Sequence, residues 1–270
     1  MDLGLKGRTA LVTAASRGFG LATARLLAEE GCKVALCARG EEELADAAAE
    51  VCAAGEEVWG GCGGRVLARA LDLRDDKAVA AFSGQVEQEL GPIDLLLVNA
   101  GGPPAGGFAD LGPADWDAAY RLTIASAVNL CRLVLPGMKS RRWGRIVAVT
   151  SVAVRQPVEG LVLSNVLRPA VHGLVKSLSD DAAPHGVTVN AVAPGFHATS
   201  AVERLIAAKI AATGCSREDV IAGWTGAIPA GRLGEADELA ALIVFLMSRR
   251  AGYITGQAVV ADGGWVRATC

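Results

Sequence analysis

Aromatic side chains are scarce in this chain of 270 residues. They make up 4% of it, and only two are tyrosines, Tyr120 and Tyr253. Any chemistry that needs a phenol therefore has two candidates at most. A basic excess is also missing: 26 Lys and Arg stand against 29 Asp and Glu, a net charge of −3. No broad positive field invites nucleic acid, and the run Lys139-Ser140-Arg141-Arg142 reads as a solvated helix end. No uninterrupted apolar run approaches the roughly 18 residues that span a bilayer. The start, Met1-Asp2-Leu3-Gly4-Leu5-Lys6, lacks the apolar stretch of a signal peptide. No membrane partner and a cytoplasmic location are expected. The seven cysteines (positions 32, 37, 52, 62, 131, 215 and 270) are odd in number and contain no CxxC pair. They read as reduced thiols, mostly buried, and not as a disulfide or zinc framework. No metal site is expected.

What is plentiful is apolar surface, 51% of the chain, enough for a large core at this length. It comes in short runs separated by amphipathic stretches. Strand-like runs cover residues 9–14, 33–38, 66–71, 94–98, 145–150, 187–193 and 257–260. Helical patterns lie between them: one ending at Glu30, then 41–54, 75–90, 114–138, 164–183 and 235–248. Residues 55–65 are glycine-rich and read as an exposed loop, and 194–233 as irregular and partly helical. Strands alternating with helices mean βαβ units, hence a parallel sheet covered on both faces. No repeat, linker or low-complexity boundary divides the chain. The expected fold is α/β, a single doubly wound Rossmann-type domain over residues 1–270 with a seven-stranded parallel sheet. Ligands of such sheets bind beyond the carboxyl ends of the strands, so the loops after strands are where chemistry is sought.

The first such loop is Thr13-Ala14-Ala15-Ser16-Arg17-Gly18-Phe19-Gly20. Gly18 and Gly20 let the backbone pass close to a pyrophosphate, and the helix they open points free N–H groups and its positive end at that anion. A tight turn alone would show the same two glycines. Further markers follow later strands: Asp72-Leu73 after the third, Asn99-Ala100-Gly101 after the fourth, Asn190-Ala191-Val192-Ala193-Pro194-Gly195 with the sixth, and Asp262-Gly263-Gly264 after the last. On these motifs and spacings the chain resembles the short-chain dehydrogenase/reductase family, in its ketoacyl-reductase-like branch, over nearly its whole length.

The resemblance implies an oxidoreductase with a nicotinamide cofactor and a small-molecule substrate. It implies a phosphate loop of Thr13, Ser16, Arg17, Gly18, Phe19 and Gly20, and an adenine edge held by Asp72 with Leu73. Asn99, followed by Ala100 and Gly101, would brace the central strand beside the cofactor; Pro194, Gly195 and Thr199 would line the nicotinamide. The family's usual first glycine is Ala14 here, which is less permissive of positive φ. Cofactor choice is argued from charge. NAD binders usually end the second strand with an acid that accepts from the ribose 2′-OH. This chain has Cys37-Ala38-Arg39 there, with Arg17 nearby. Two guanidinium groups suit a 2′-phosphate, so NADP(H) is expected over NAD(H).

The same resemblance implies four groups for carbonyl chemistry: an asparagine, a serine, a tyrosine and a lysine. Ser151, after the fifth strand, takes the serine's place. The tyrosine is due thirteen residues later, where Ser164 stands, and the lysine four further on, where Arg168 stands. The run Gly173-Leu174-Val175-Lys176-Ser177-Leu178 fixes this register without a gap. Counting back from Pro136-Gly137-Met138, the asparagine position is Thr123. Arg168 can donate to ribose hydroxyls, but a guanidinium holds its proton far above neutral pH and is no acid there, and Ser164 is a poor proton donor. Pro169 is expected to delay or bend the following helix. His197, close to the expected nicotinamide, is a candidate acid; His172 and His185 read as structural. Arg155 and Glu159 lie in the loop over the site, and residues 196–233 would form a substrate lid.

Three readings stay open. The first is an NADPH-dependent oxidoreductase of non-standard mechanism, reducing an iminium or carbinolamine carbon of a bulky metabolite. Imine reduction yields a neutral amine and needs no acid, and Glu159 could stabilise the cation. The second is an ordinary carbonyl reductase with His197, Ser151 or water as donor. The third is a nucleotide-binding protein without redox activity, a scaffold or a non-redox cyclase or lyase. The long helices at 114–138 and 164–183 would be the faces of a homodimer or homotetramer.

Overall fold

The computed structural model describes residues 1–269; Cys270 lies outside them. Seven strands form one parallel sheet: β1 (Thr9–Thr13), β2 (Lys33–Ala38), β3 (Val66–Ala70), β4 (Ile93–Val98), β5 (Gly144–Val149), β6 (Val187–Pro194) and β7 (Ala258–Ala261). Their order is β3-β2-β1-β4-β5-β6-β7. From β1 the chain steps to one side for β2 and β3, then crosses to the other for β4 to β7. That reversal opens a crevice beyond the carboxyl ends of β1 and β4.

Strand residues alternate faces, and the two faces feed two cores. Ala10, Val12, Leu95 and Leu97 pack with α1 (Gly18–Glu29), α2 (Glu41–Trp59) and α9 (Ala236–Met247). Leu11 and Leu96 pack on the other side with α3 (Asp76–Glu89), α5 (Ser126–Arg141) and α6 (Val162–Ala182). Every residue of β1, β4, β5 and β6 is buried. Each fully buried Leu or Val is worth about 1.5–3 kcal/mol, which is why these strands read as largely apolar runs, with Asp94, Arg145 and Asn190 buried among them.

Four expectations need correction. First, α2 runs on to Trp59, five residues past the expected end, and Gly60 closes it in a left-handed cap, φ 69°. The cause is packing. Trp59 is buried against the first core, and its ring occupies the space where a Cβ on Gly55 would stand, 2.5 Å away. Second, Cys52 and Cys62 are joined by a disulfide. The helix extension and its cap fold residue 62 back beside residue 52, a proximity that the cysteine spacing alone does not reveal. Cys32, Cys37 and Cys131 are buried free thiols, as expected, whereas Cys215 is exposed.

Third, Pro169 neither delays nor breaks α6, which starts at Val162 and passes through it. Pro169 lies on the exposed side of the helix, where water can satisfy the carbonyl that loses its partner. Fourth, the expected helix at 114–138 is composite. It comprises α4 (Pro113–Tyr120), a π turn at Arg121–Ala125, and α5. Taken together, Pro113–Arg141 is long and apolar enough to cross a bilayer, with a mean hydropathy of 1.2 over its best window. Much of that apolarity faces inward, through Leu130, Cys131, Val134, Leu135 and Met138.

Candidate active site

The carboxyl ends of β1 and β4 are stitched by one buried hydroxyl. Thr13 Oγ1 lies 2.7 Å from the Asn99 carbonyl and 2.9 Å from that of Leu97, and accepts the Asn99 N–H at 2.9 Å. Asn99 Nδ2 in turn donates to the Ala14 carbonyl at 3.3 Å. The loop between them turns at Ala14, whose φ of 49° lies in the left-handed region, at a cost of about 1–2 kcal/mol for a residue with a Cβ. Gly18 has φ 58°. Gly20 is required by contact: a Cβ there would lie 2.5 Å from the Ala14 carbonyl oxygen and 2.8 Å from the Ala15 Cα. Helix α1 starts from Arg17 with no side-chain cap and no acid in its first turn. Its first N–H groups are therefore left for an anion. The cradle fits a pyrophosphate.

Charge gathers where the adenosine half of a dinucleotide would lie. Arg39, just past β2, is exposed and has no ion-pair partner among the described residues. Arg17 makes a long contact with Glu43, 3.5 Å, both side chains more than half exposed. Asp72 is gripped by Arg74 at 2.5 Å. The hydrogen bond from Arg74, and the field of Arg39 behind it, hold the Asp72 carboxyl below the usual carboxylate range. Arg74 was not anticipated from the sequence; its two-residue offset from Asp72 closes a local fork that no motif flags. Leu73 is buried, Ala100 half-buried and Gly101 exposed.

On the other side of the crevice, Pro194 ends β6. Gly195 donates to the Ala261 carbonyl at 2.9 Å, and a Cβ on it would meet Asp262 at 2.8 Å. The expected lid is more regular than the sequence suggested. It holds α7 (Ser200–Thr213) and α8 (Arg217–Thr225), packed through Val202, Ile206 and Val220. Phe196 stacks on Trp224, with centroids 4.3 Å apart. Both ends of this segment are stapled together, Gly234 N–H to the Phe196 carbonyl at 3.0 Å and Ala198 N–H to the Gly234 carbonyl at 2.7 Å.

His197, the candidate acid, belongs to that staple. It is 4% exposed. Its Nδ1 lies 3.2 Å from the Gly195 carbonyl, its ring meets Phe19 edge to face at 5.2 Å, and it fills the space above Gly234. Burial pushes its imidazole below the ordinary 6.5. His197 wedges the phosphate loop against the segment after β6, where Thr199 also approaches Gly18.

The four expected catalytic positions come out unequal. Ser151 follows β5 and is partly exposed. Its Oγ accepts the Ala153 N–H at 3.1 Å, which leaves its own O–H to donate. Ser164 is half-buried at the start of α6. Thr123 lies in the π turn, 4% exposed, with its hydroxyl enclosed and unpartnered. Arg168, one helical turn beyond Ser164, is buried. Its Nη1 donates to the Val149 carbonyl at 2.8 Å, at the end of β5. No carboxylate lies within ion-pair distance of it among the described residues. Burial with no counter-charge pulls its guanidinium down to about 10, still protonated at neutral pH.

Tyr120 is 49% exposed at the end of α4, and Tyr253 is fully exposed in the turn that leads into β7, at the opposite end of the sheet. Arg155 turns toward β7, 3.5 Å from the Ala258 carbonyl, and lines a separate cavity of about 390 Å³. Burial, and then the charge of Arg155, push His172 below its ordinary value. The Glu159 side chain is 94% exposed and reaches only Lys209, at 4.0 Å. One organising residue was missed. Asn165 clamps the loop after β5, accepting the Val158 N–H and donating to the Val158 carbonyl, both at 2.9 Å. A second strap joins Gly106 to that loop, with its N–H on the Gly160 carbonyl at 2.7 Å. An isolated asparagine and a glycine carry no sequence signal for such contacts.

Comparison with known proteins places this geometry. A family model described as enoyl-(acyl carrier protein) reductase matches residues 13–266. A Streptomyces virginiae protein, provisionally described as a ketoacyl reductase of monensin polyketide synthase, is 38% identical over 262 residues, covering 95% of this chain and 96% of its own. The 3-oxoacyl-[acyl-carrier-protein] reductase of Vibrio harveyi is 34% identical, covering 97% and 98%. The crystal structure of L-sorbose reductase from Gluconobacter frateurii, complexed with NADPH and L-sorbose, superposes with a TM-score of 0.90 at 30% identity, covering 99% and 100%.

Proposed function

The chain belongs to the short-chain dehydrogenase/reductase family, in its ketoreductase-like branch, and on that premise we propose that it is an NADPH-dependent oxidoreductase that reduces a small organic acceptor. The observation that carries this reading is the intact dinucleotide cradle with an unpaired guanidinium, Arg39, at its adenosine end. NADPH, once bound, supplies hydride. Phosphate oxygens would accept from the first N–H groups of α1, while Arg39 and Arg17 face a 2′-phosphate. Arg17 must exchange Glu43 for that phosphate, and at 3.5 Å with both partners exposed the contact it gives up is weak. Asp72 and Leu73 would border the adenine, and Asn99, Ala100 and Gly101 the central part of the cofactor. Pro194, Gly195 and Thr199 would flank the nicotinamide, with His197 fixing their position. Arg168 would donate to the nicotinamide ribose.

At the acceptor end, Ser151 has a free hydroxyl to donate to the acceptor's heteroatom, and Ser164, near the start of α6, lacks an acid's pKa. With His197 enclosed, Ser151 and water remain as donors. The cationic acceptor loses its support: Glu159 faces solvent, and the uncompensated Arg168 works against a second positive charge. Exposed Tyr120 on α4 and Val166 on α6 fit the expected dimer faces.

The test is cofactor titration followed by turnover. NADPH fluorescence should saturate at concentrations about 10–100-fold below those needed for NADH, the worth of one or two charge-assisted hydrogen bonds. Absorbance should then fall when an acceptor is added. Equal affinities would remove the NADPH preference, and bound NADPH inert to every acceptor class would remove the reductase reading.

A further inference from the structure

The loops after β1, β2 and β3 each bring one guanidinium to the adenosine end of the cradle: Arg17, Arg39 and Arg74. Acids stand beside all three. Glu41, Glu42 and Glu43 form the first turn of α2, directly after Arg39 and Gly40, and Asp72 follows β3. Arg17 leans on Glu43, and Arg74 grips Asp72. Of the three, Arg39 alone has no ion-pair partner among the described residues.

The acid best placed to capture Arg39 is Asp72. Strands β2 and β3 run in parallel register with Ala38 beside Ala70, and the Leu71 N–H donates to the Ala38 carbonyl at 2.8 Å. Arg39 and Asp72 therefore leave neighbouring strands side by side. The charge of Arg39 acts on the Asp72 carboxyl, after the larger effect of Arg74. Yet the two side chains form no ion pair, because Arg74 occupies both carboxylate oxygens. Its Nε lies 3.0 and 3.1 Å from them, its Nη2 donates to Oδ2 at 2.5 Å, and its backbone N–H donates to Oδ1 at 2.9 Å. A turn closed by the Asp75 N–H on the Asp72 carbonyl, at 3.0 Å, holds the fork together. A planar guanidinium meets a carboxylate at two points, and a partner two residues away closes a far shorter loop than one on another strand.

Resting on the NADPH reading, we propose that Arg74 is a positioning residue for cofactor choice: by occupying Asp72 it keeps Arg39 free for the 2′-phosphate. Without Arg74, two losses follow. Asp72 turns to Arg39, which must then be released before it can meet a phosphate, and the bare carboxylate repels that phosphate. Both losses fall on NADPH alone, since NADH carries a hydroxyl at that position. Exposed ion pairs are individually weak, so the effect is smaller than that of removing Arg39 itself. It also depends entirely on the charge of Asp72.

The test is calorimetric titration of the full-length protein with NADPH and with NADH. The ratio of the two affinities is the readout, because a general loosening of the adenosine site weakens both alike. The Arg74 side chain is 44% exposed, so its truncation leaves the core intact. Arg74→Ala should lower the preference for NADPH about three- to tenfold. In an Asp72→Asn background the same change should alter it less than about twofold. A preference that Arg74→Ala leaves unchanged overturns the inference while the NADPH reading stands. An equal loss with Asp72 and with Asn at that position also overturns it, because Arg74 would then meet the phosphate directly. A wild type that binds both dinucleotides equally, or neither, overturns the inference and the NADPH reading together.

Discussion

The two ends of the crevice are built from different materials. The cofactor end is made mostly of backbone: N–H groups at the start of α1, the turn at Ala14, and glycines at 18, 20 and 195 placed where a Cβ would collide or strain. The proposed acceptor end is made of side chains on two elements, Ser151 after β5 and Ser164 and Arg168 on α6. Backbone geometry is fixed by the fold and changes only if the fold does. A side chain can be exchanged without moving anything else. Binding is therefore the property such a chain keeps most readily, and the fate of the proton is the property it alters most readily.

Substitutions at each end should separate the two. The largest effect is expected from Gly20→Ala, because the added methyl strikes main-chain atoms that cannot rotate away. Overpacking of this kind costs about 1–3 kcal/mol, so NADPH affinity should fall about 10–100-fold in fluorescence titration, with acceptor preference unchanged. Affinity within twofold of wild type would mean that the dinucleotide lies elsewhere. Arg39→Ala comes next. It should weaken NADPH about tenfold or more while leaving NADH nearly untouched, the signature of a lost charged contact to one phosphate. Parallel losses for both cofactors would mean that Arg39 does not read the 2′ position.

His197 tests the join between the two ends. His197→Ala removes a wedge that touches Phe19 and Gly234. It should lower thermal stability by about 1–3 kcal/mol, with a smaller loss of NADPH affinity. The sign of its pH effect follows from the direction of its shift. The folded imidazole titrates below the ordinary 6.5, so above that value both folded and unfolded chains are neutral there and nothing changes. Below it the unfolded chain binds a proton that the folded chain refuses, and stability falls until the folded pKa is passed. His172 is shifted in the same direction, so the comparison must be between variants. The melting temperature of His197→Phe should fall less than that of the wild type as pH drops from about 7 to about 5; identical slopes would show that His197 is protonated in the fold. The smallest effect is expected at Ala14→Gly. This relieves a left-handed backbone at the expense of a more flexible unfolded chain, for a net gain of up to about 1 kcal/mol with no change in acceptor preference. A loss of stability on denaturant melting would show that the Ala14 methyl makes a packing contribution.

The contrast also explains what could be read in advance. The strands, their parallel pairing and the phosphate loop were legible because apolar runs, glycine positions and helix starts are local. Ser151, Ser164 and Arg168 were picked out by register from the downstream helix, and their part in the chemistry stays a proposal. Their surroundings were not. Nothing local announces that Glu159 points outward, that Thr123 is sealed within a π turn, or that His197 is clamped by Gly195 and Phe19. The Asn165 clamp on Val158, the Arg74 grip on Asp72 and the approach of Cys52 to Cys62 likewise depend on how the chain folds back. Helix α2 outran its expected end because Gly55, read as a loop former, makes room for Trp59.

The most direct test of the proposed reductase, whose acceptor end offers only Ser151 and water as donors, is the pH dependence of hydride transfer in a single turnover, with an accepted carbonyl substrate mixed against the NADPH complex. The rate should be flat from about pH 7 to about pH 9 and fall only as the Arg168 guanidinium, at about 10, begins to lose its charge. A rate that drops tenfold per pH unit within that window would reveal a titrating proton donor in the crevice and contradict the account.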